Sequence, residues 1–341
     1  MADLTLREQM ENLEDPRLGA WLDALRECDV AVRQFPQSAR IVGFECDEGT
    51  VRNGGRAGGA GAYKVFEEHL RKVGPVFNAL SNADLTQVHL SLGGTATGPL
   101  EQAHESLQSL VRQALDKANV AIVVGGDNSQ SYENYRALAD TYRRAKIGVV
   151  NIDAHLDVRP LNDGAKHSGS PFRCMLEDAE FEDSESIFVE FAAQAQQCSR
   201  KHVQYVKDKK QHVYFLSELL CCSSIERVDS DMTPWPSSTP MAARFEKLVL
   251  ERFDNARCDA VFVSFDIDSI RSADCPGVSC PAPVGLSADD AMRICFLAGR
   301  HPRVQLLDVS EFNPAVEDYR TGRLVACMVY AFLCGLAMRQ R

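Results

Sequence analysis

The chain has 341 residues, 45% of them hydrophobic and 25% charged, which is the balance of a globular protein able to bury a substantial core and excludes a disordered or fibrous one. Its 37 Lys and Arg against 48 Asp and Glu give a formal net charge of -11, so no general basic surface faces phosphates and no nucleic-acid partner is expected. No uninterrupted apolar run reaches the ~18 to 20 residues that span a bilayer, and the start MADLTLREQMENLEDP is acidic and mixed, so no membrane partner and a cytoplasmic location are expected.

In chain order, residues 1–38 read as a helical extension at the N-terminus of one domain covering 1–341. Eight short β-branched runs follow: Arg40 to Phe44, Val88 to Leu92, Val120 to Val124, Ile147 to Ile152, Ile187 to Ala192, His212 to Leu216, Ala260 to Ile267 and Val304 to Val309. Several, such as IGVVNI and AVFVSFDI, are apolar on both faces, as parallel strands covered on each side require. Helical spacing of apolar residues marks Leu100 to Ala118, Tyr132 to Arg144, Ala242 to Phe253, Ala288 to Ala298 and Arg323 to Met338. The alternation predicts an α/β fold of three layers around a mostly parallel eight-stranded sheet, with its ligand site beyond the carboxyl ends of the strands. Residues 193–240 give no clear pattern, and DMTPWPSSTP within them reads as an exposed loop. The 12 cysteines form no CxxC pair and read as reduced thiols.

Four polar clusters stand directly after predicted strands: Gly125-Gly126-Asp127-Asn128-Ser129, Asp153-Ala154-His155-Leu156-Asp157, Asp266-Ile267-Asp268, and Asp308 to Pro314. One strand-end Asp commonly caps a helix or closes a turn. Together, though, DAHLD and DID bring five Asp and His side chains toward one sheet edge, where unpaired they would repel and resist burial. Divalent cations resolve that conflict, and carboxylate with imidazole but little thiol suits Mn²⁺. Two such ions sharing carboxylates would acidify a water for attack on an electrophilic carbon. No GxSxG elbow points to a protein nucleophile.

The order GGDxS, DAHxD, SFDID, then PG and GL, over about residues 41–336, resembles the ureohydrolase superfamily of arginase, agmatinase and formimidoylglutamase. CDEGTVRNGGR, DVRP, HSGSPFR, PGVSCPAPVGLS and SEFNP look most like formimidoylglutamase. The resemblance implies an arginase-like fold, a homo-oligomer with a trimer favoured, and a pair of Mn²⁺ ions. Asp153 and Asp266 would bridge them, Asp157 would serve the first ion, and His155 and Asp268 the second. It further implies Asp157 as proton shuttle and Glu311 as the partner of a cationic amidine. Where the family has His in GGDHS, this chain has Asn128, whose neutral carbonyl is a weaker donor, so the first ion is expected to bind loosely.

The expected reaction is hydrolysis of N-formimidoyl-L-glutamate to L-glutamate and formamide, through attack of a metal-bound hydroxide on the amidine carbon. An arginase or agmatinase, or a non-catalytic binding descendant, are the alternatives. An anionic substrate calls for bidentate guanidinium groups, and Arg52, Arg56, Arg159 and Arg173 all lie in loops able to reach the site, each with an ordinary surface role as the other reading. Arg159, two residues from Asp157, ranks first, with Asn53, Ser168 and Ser170 as neutral donors. Cys46 and Cys280 lie in segments that border the site in the family's fold and are either ordinary thiols or a pair that oxidation joins.

Overall fold

All eight apolar runs form strands in the computed structural model of the chain, which describes residues 5–28, 31–118, 120–221 and 240–339. The strands are β1 (Gln37–Glu45), β2 (Val88–Thr97), β3 (Val120–Gly125), β4 (Ile147–Ile152), β5 (Ile187–Ala193), β6 (His212–Phe215), β7 (Ala260–Asp266) and β8 (Val304–Ser310). They make one sheet in the order β2-β1-β3-β8-β7-β4-β5-β6. Every pairing is parallel, so the sheet expected to be mostly parallel is parallel throughout. β3, β4 and β7 are buried along their whole length, because helices cover both faces. Each Val, Ile or Phe so buried contributes roughly 1.5 to 3 kcal/mol.

The register places the site. Ile152 pairs with Phe265, Phe265 with Val309, and Asp266 with Ser310, while Val124 also pairs with Val309. The residues that follow these pairs, Asp153 among them, therefore emerge level with one another. They do so from β3, β8, β7 and β4, the four central neighbours of the sheet.

The long helices Leu100–Lys117, Gln130–Thr141, Ala288–Arg300 and Tyr319–Ala337 match the periodic stretches to within a few residues. The stretch 242–253 differs: it divides into Pro240–Phe245, a π-helical segment Glu246–Leu250 and Glu251–Asn255. Residues 193–240 prove partly regular, with the helix Arg200–Asp208, β6 and the helix Leu216–Cys221. The predicted loop DMTPWPSSTP lies, but for its last residue, outside the described residues. At the N-terminus the helices Leu6–Glu11 and Leu18–Cys28 precede β1, which begins at Gln37, within the segment read as an extension. That segment joins the core: Leu18 and Trp21 are buried, and Trp21 Nε1 donates to the Val88 carbonyl at 3.1 Å.

Tyr319–Ala337 is long and apolar enough to cross a membrane, yet 78% of its most apolar window is buried inside the protein. It packs against Ala288–Arg300 at a close crossing made by two glycines. A Cβ on Gly335 would stand 2.2 Å from the Phe296 carbonyl oxygen, and one on Gly299 2.0 Å from that of Phe332.

Candidate metal centre

The same turn is built twice at the sheet edge. After β4, Asp153 Oδ1 accepts from the His155 N–H at 2.7 Å; after β7, Asp266 Oδ1 accepts from the Asp268 N–H at 2.9 Å. Each turn folds a second ligand back beside the first, an imidazole after β4 and a carboxylate after β7. The result is two groups: Asp153, Asp157 and Asp266, and Asp153, His155 and Asp268, the ligand atoms of each group lying within 4.8 Å of one another. Asp153 belongs to both. His155 Nδ1 is 3.1 Å from Asp268 Oδ2 and 3.4 Å from Asp153 Oδ1. Asp157 reaches the cluster on a left-handed backbone with φ 44°, a strained conformation of the kind that collects at functional sites.

Three buried carboxylates and the half-buried Asp157 at this spacing are electrostatically unbalanced. Burial, and then the charge of Asp268, push Asp266 well above the carboxylate range; burial and the charge of Asp153 push Asp157 up to about 8. Burial alone would depress His155, but Asp268 and Asp153 outweigh it and hold the imidazole far above its usual value. Asp268 Oδ1 is buried with no hydrogen-bond partner. An orphaned oxygen in a cage of anionic and imidazole donors fits divalent cations of the Mn²⁺ kind, which supply the missing charge and ligand bonds.

Asn128 and Glu311 complete the wall. Asn128 Nδ2 donates to Asp157 Oδ2 at 2.7 Å. Glu311, at φ 64°, accepts at Oε1 from the Asn128 N–H and Thr50 Oγ1, both at 3.1 Å. Burial, then Asp127, raises its pKa well above the ordinary range.

The model of the arginase family matches residues 37–230 and 238–335. The chain belongs to the arginase family. It is 28% identical to the formimidoylglutamase of Geobacillus thermodenitrificans over 315 residues, which cover 91% of this chain and 88% of that one. The crystal structure of Trypanosoma cruzi formiminoglutamase with Mn²⁺ is 41% identical, covers 96% of this chain and 100% of its own, and superposes with a TM-score of 0.81. An asparagine-to-histidine variant of that enzyme with Mn²⁺ superposes at 0.82, with the same identity and coverage.

In this arginase-family chain the four candidate arginines are placed very differently. Arg159 donates to Asn53 Oδ1 at 3.0 Å, Asn53 Nδ2 donates to Ser168 Oγ at 3.1 Å, and no carboxylate pairs with Arg159 among the described residues. It lines a cavity of about 130 Å³ together with His155, Asp157, Gln197, Ser199 and His202. Arg56 donates to the carbonyls of Val278 and Ser279, and the Ser170 hydroxyl to that of His167. Arg52 and Arg173 do not present free guanidinium groups: Arg52 is paired with Glu48 and Glu101, and Arg173 with Glu177 while stacked on Tyr205. Carboxylates one helical turn away explain both pairings. Cys46 is buried and Cys280 exposed, both as free thiols; burial raises Cys46 to about 11, and Cys280 hydrogen-bonds His155.

Sequence reasoning passes over Asn151 and Glu190. Asn151 Nδ2 donates to Asp153 Oδ2 at 3.0 Å and to both Glu190 oxygens at 3.3 Å, bracing the shared aspartate from the strand side. The available signal is an Asn and a Glu inside runs that are otherwise apolar on both faces, paired across β4 and β5.

Proposed function

We propose that the chain is a Mn²⁺-dependent formimidoylglutamase, which hydrolyses N-formimidoyl-L-glutamate to L-glutamate and formamide. The observation that carries it is the twin cage sharing Asp153, in a chain 41% identical to a formiminoglutamase determined with Mn²⁺. Up to two ions per subunit would be held, the first by Asn128, Asp153, Asp157 and Asp266 and the second by Asp153, His155, Asp266 and Asp268, with the first the weaker because Asn128 offers a neutral donor. Bound there, divalent cations supply Lewis acidity that brings the pKa of water toward neutrality.

The chain's own residues do the rest. Asp157, set in the cage wall beside Asn128, takes up a proton as water adds to the amidine carbon and delivers it to the leaving nitrogen of glutamate. Glu311, fixed by Thr50 and the Asn128 N–H, receives the cationic amidine. Arg159 binds a substrate carboxylate, oriented by Asn53 and Ser168; Arg56, held on the Val278 and Ser279 carbonyls, and Arg52 and Arg173, held in ion pairs, are left as supporting groups.

Formamide release from N-formimidoyl-L-glutamate tests this reading, with arginine and agmatine as controls and metal content measured on the same sample. Turnover of a guanidine substrate in preference makes the chain an arginase or agmatinase; no turnover with saturating Mn²⁺ makes it a non-catalytic descendant. Asn128→His should tighten the first ion. The reading extends to a cytoplasmic homotrimer, which sedimentation and fractionation test. It also extends to reversible oxidation joining Cys46 and Cys280, which equal free-thiol counts before and after mild oxidation would exclude.

A further inference from the structure

The Asn128 carboxamide lies between the cage and two serines. Toward the cage its Nδ2 donates to Asp157 Oδ2; on the other side its Oδ1 is 2.8 Å from Ser131 Oγ and 2.9 Å from Ser310 Oγ. Ser131 has one hydroxyl hydrogen and a second acceptor for it, Asp308 Oδ2, also at 2.8 Å. Asp308 is fully buried and already takes hydrogens from Ser264 Oγ, Asn134 Nδ2 and the Phe265 N–H. A carboxylate ringed by donors is a stronger acceptor than a carboxamide oxygen, so the Ser131 hydrogen belongs to Asp308 and a Ser131 lone pair faces Asn128.

A lone pair there calls for an N–H. With the carboxamide turned half a rotation about its terminal bond, Nδ2 donates to both serine oxygens and Oδ1 faces Asp157. Two acceptors face to face require a cation beside them.

We propose that Ser131 and Ser310 are positioning residues for the first metal: Ser131, set as an acceptor by Asp308, holds the Asn128 carboxamide with its carbonyl toward the cation, and Ser310, whose hydroxyl is free to turn, is the second oxygen that the amide group meets. The proposal rests on the reading of Asn128 as a ligand and goes beyond it, because a carboxamide has one ligand atom and must be aimed. The aiming residues come from two unrelated elements, the helix Gln130–Thr141 and the end of β8.

Ser131→Ala and Ser310→Ala, each in the full chain, test it by calorimetric Mn²⁺ titration and the electron paramagnetic resonance of the bound ions. The metal-free melting temperature controls for folding. Either change should weaken the looser Mn²⁺ about tenfold, since an amide N–H is then buried without an acceptor. The tighter Mn²⁺ and the melting temperature should stay where they are. Equal weakening of both ions, or of neither, overturns the proposal. A wild-type chain that takes up a single Mn²⁺ or none overturns the reading of Asn128 as a ligand, and this proposal with it.

Discussion

Arg159 is the one guanidinium of the four candidates that is both free of a carboxylate partner, among the described residues, and set in the wall of the cavity beside Asp157. Replacing it with Ala should raise KM for the anionic substrate by about 10- to 100-fold, the loss expected for a charge-assisted hydrogen bond worth roughly 1.5 to 3 kcal/mol, and change kcat far less. Steady-state kinetics check this, and a fall confined to kcat would contradict it. Asp266→Asn should abolish Mn²⁺ binding yet raise the metal-free melting temperature, because it removes a carboxylate that burial and Asp268 disfavour. Metal analysis and melting curves on one preparation read both effects. The five cage residues of DAHLD and DID are legible in the sequence because a polar cluster straight after a run apolar on both faces has no core to join. Asn151, Glu190, Ser131 and Ser310 are not, since each takes its role from a contact remote in sequence: Asn151 and Glu190 are 39 residues apart, Ser131 and Asp308 177, and Ser310 and Asn128 182. Sequence offers only half of what distinguishes Arg52 from Arg159: Glu48 stands one helical turn from Arg52, whereas Glu101 is brought up by another helix.

At the scale of elements, the strands are readable to within a few residues because hydrophobic pattern alone specifies a strand buried on both faces. The helices Pro171–Leu176 and Ala179–Asp183 are too short to show a period, and they form because Pro171 and the Asp178 cap start them and the core accepts Phe172 and Phe181. The crossing of Ala288–Arg300 with Tyr319–Ala337 also escapes sequence reading, since Gly299 and Gly335 carry no hydrophobic signal. Gly335→Ala should cost about 1 to 3 kcal/mol of stability through forced separation of the two helices, more than helix propensity returns. Denaturant unfolding measures it, and a gain in stability would show that the helices move apart freely.

Across the whole molecule, pH and metal act on the same groups. Asp157, Asp266 and Glu311 have higher pKa values folded than unfolded, so each favours the fold most below the ordinary carboxylate range and ceases to as pH climbs through its folded value, about 8 for Asp157. His155, also raised, works in the same direction, while Asp153, whose burial penalty is outweighed by His155, is held low and stays ionised across this window. The chain in a chelator should therefore melt at a lower temperature at pH 8.5 than at pH 5. Mn²⁺ displaces those protons, so the rise in melting temperature that it produces should be larger at pH 8.5. An equal rise at both values would mean that these groups do not hold the ion.

β3, β8, β7 and β4 lie side by side, but the chain visits them at widely separated times: β3 and β4 belong to its first half and β7 and β8 to its last third. An ion gripped at their common end would work as a rivet through the middle of the sheet, fastening early and late parts of the polypeptide through side chains rather than through the strand ladder. Catalytic competence and the closing of the fold's long-range connections are thereby tied to one event.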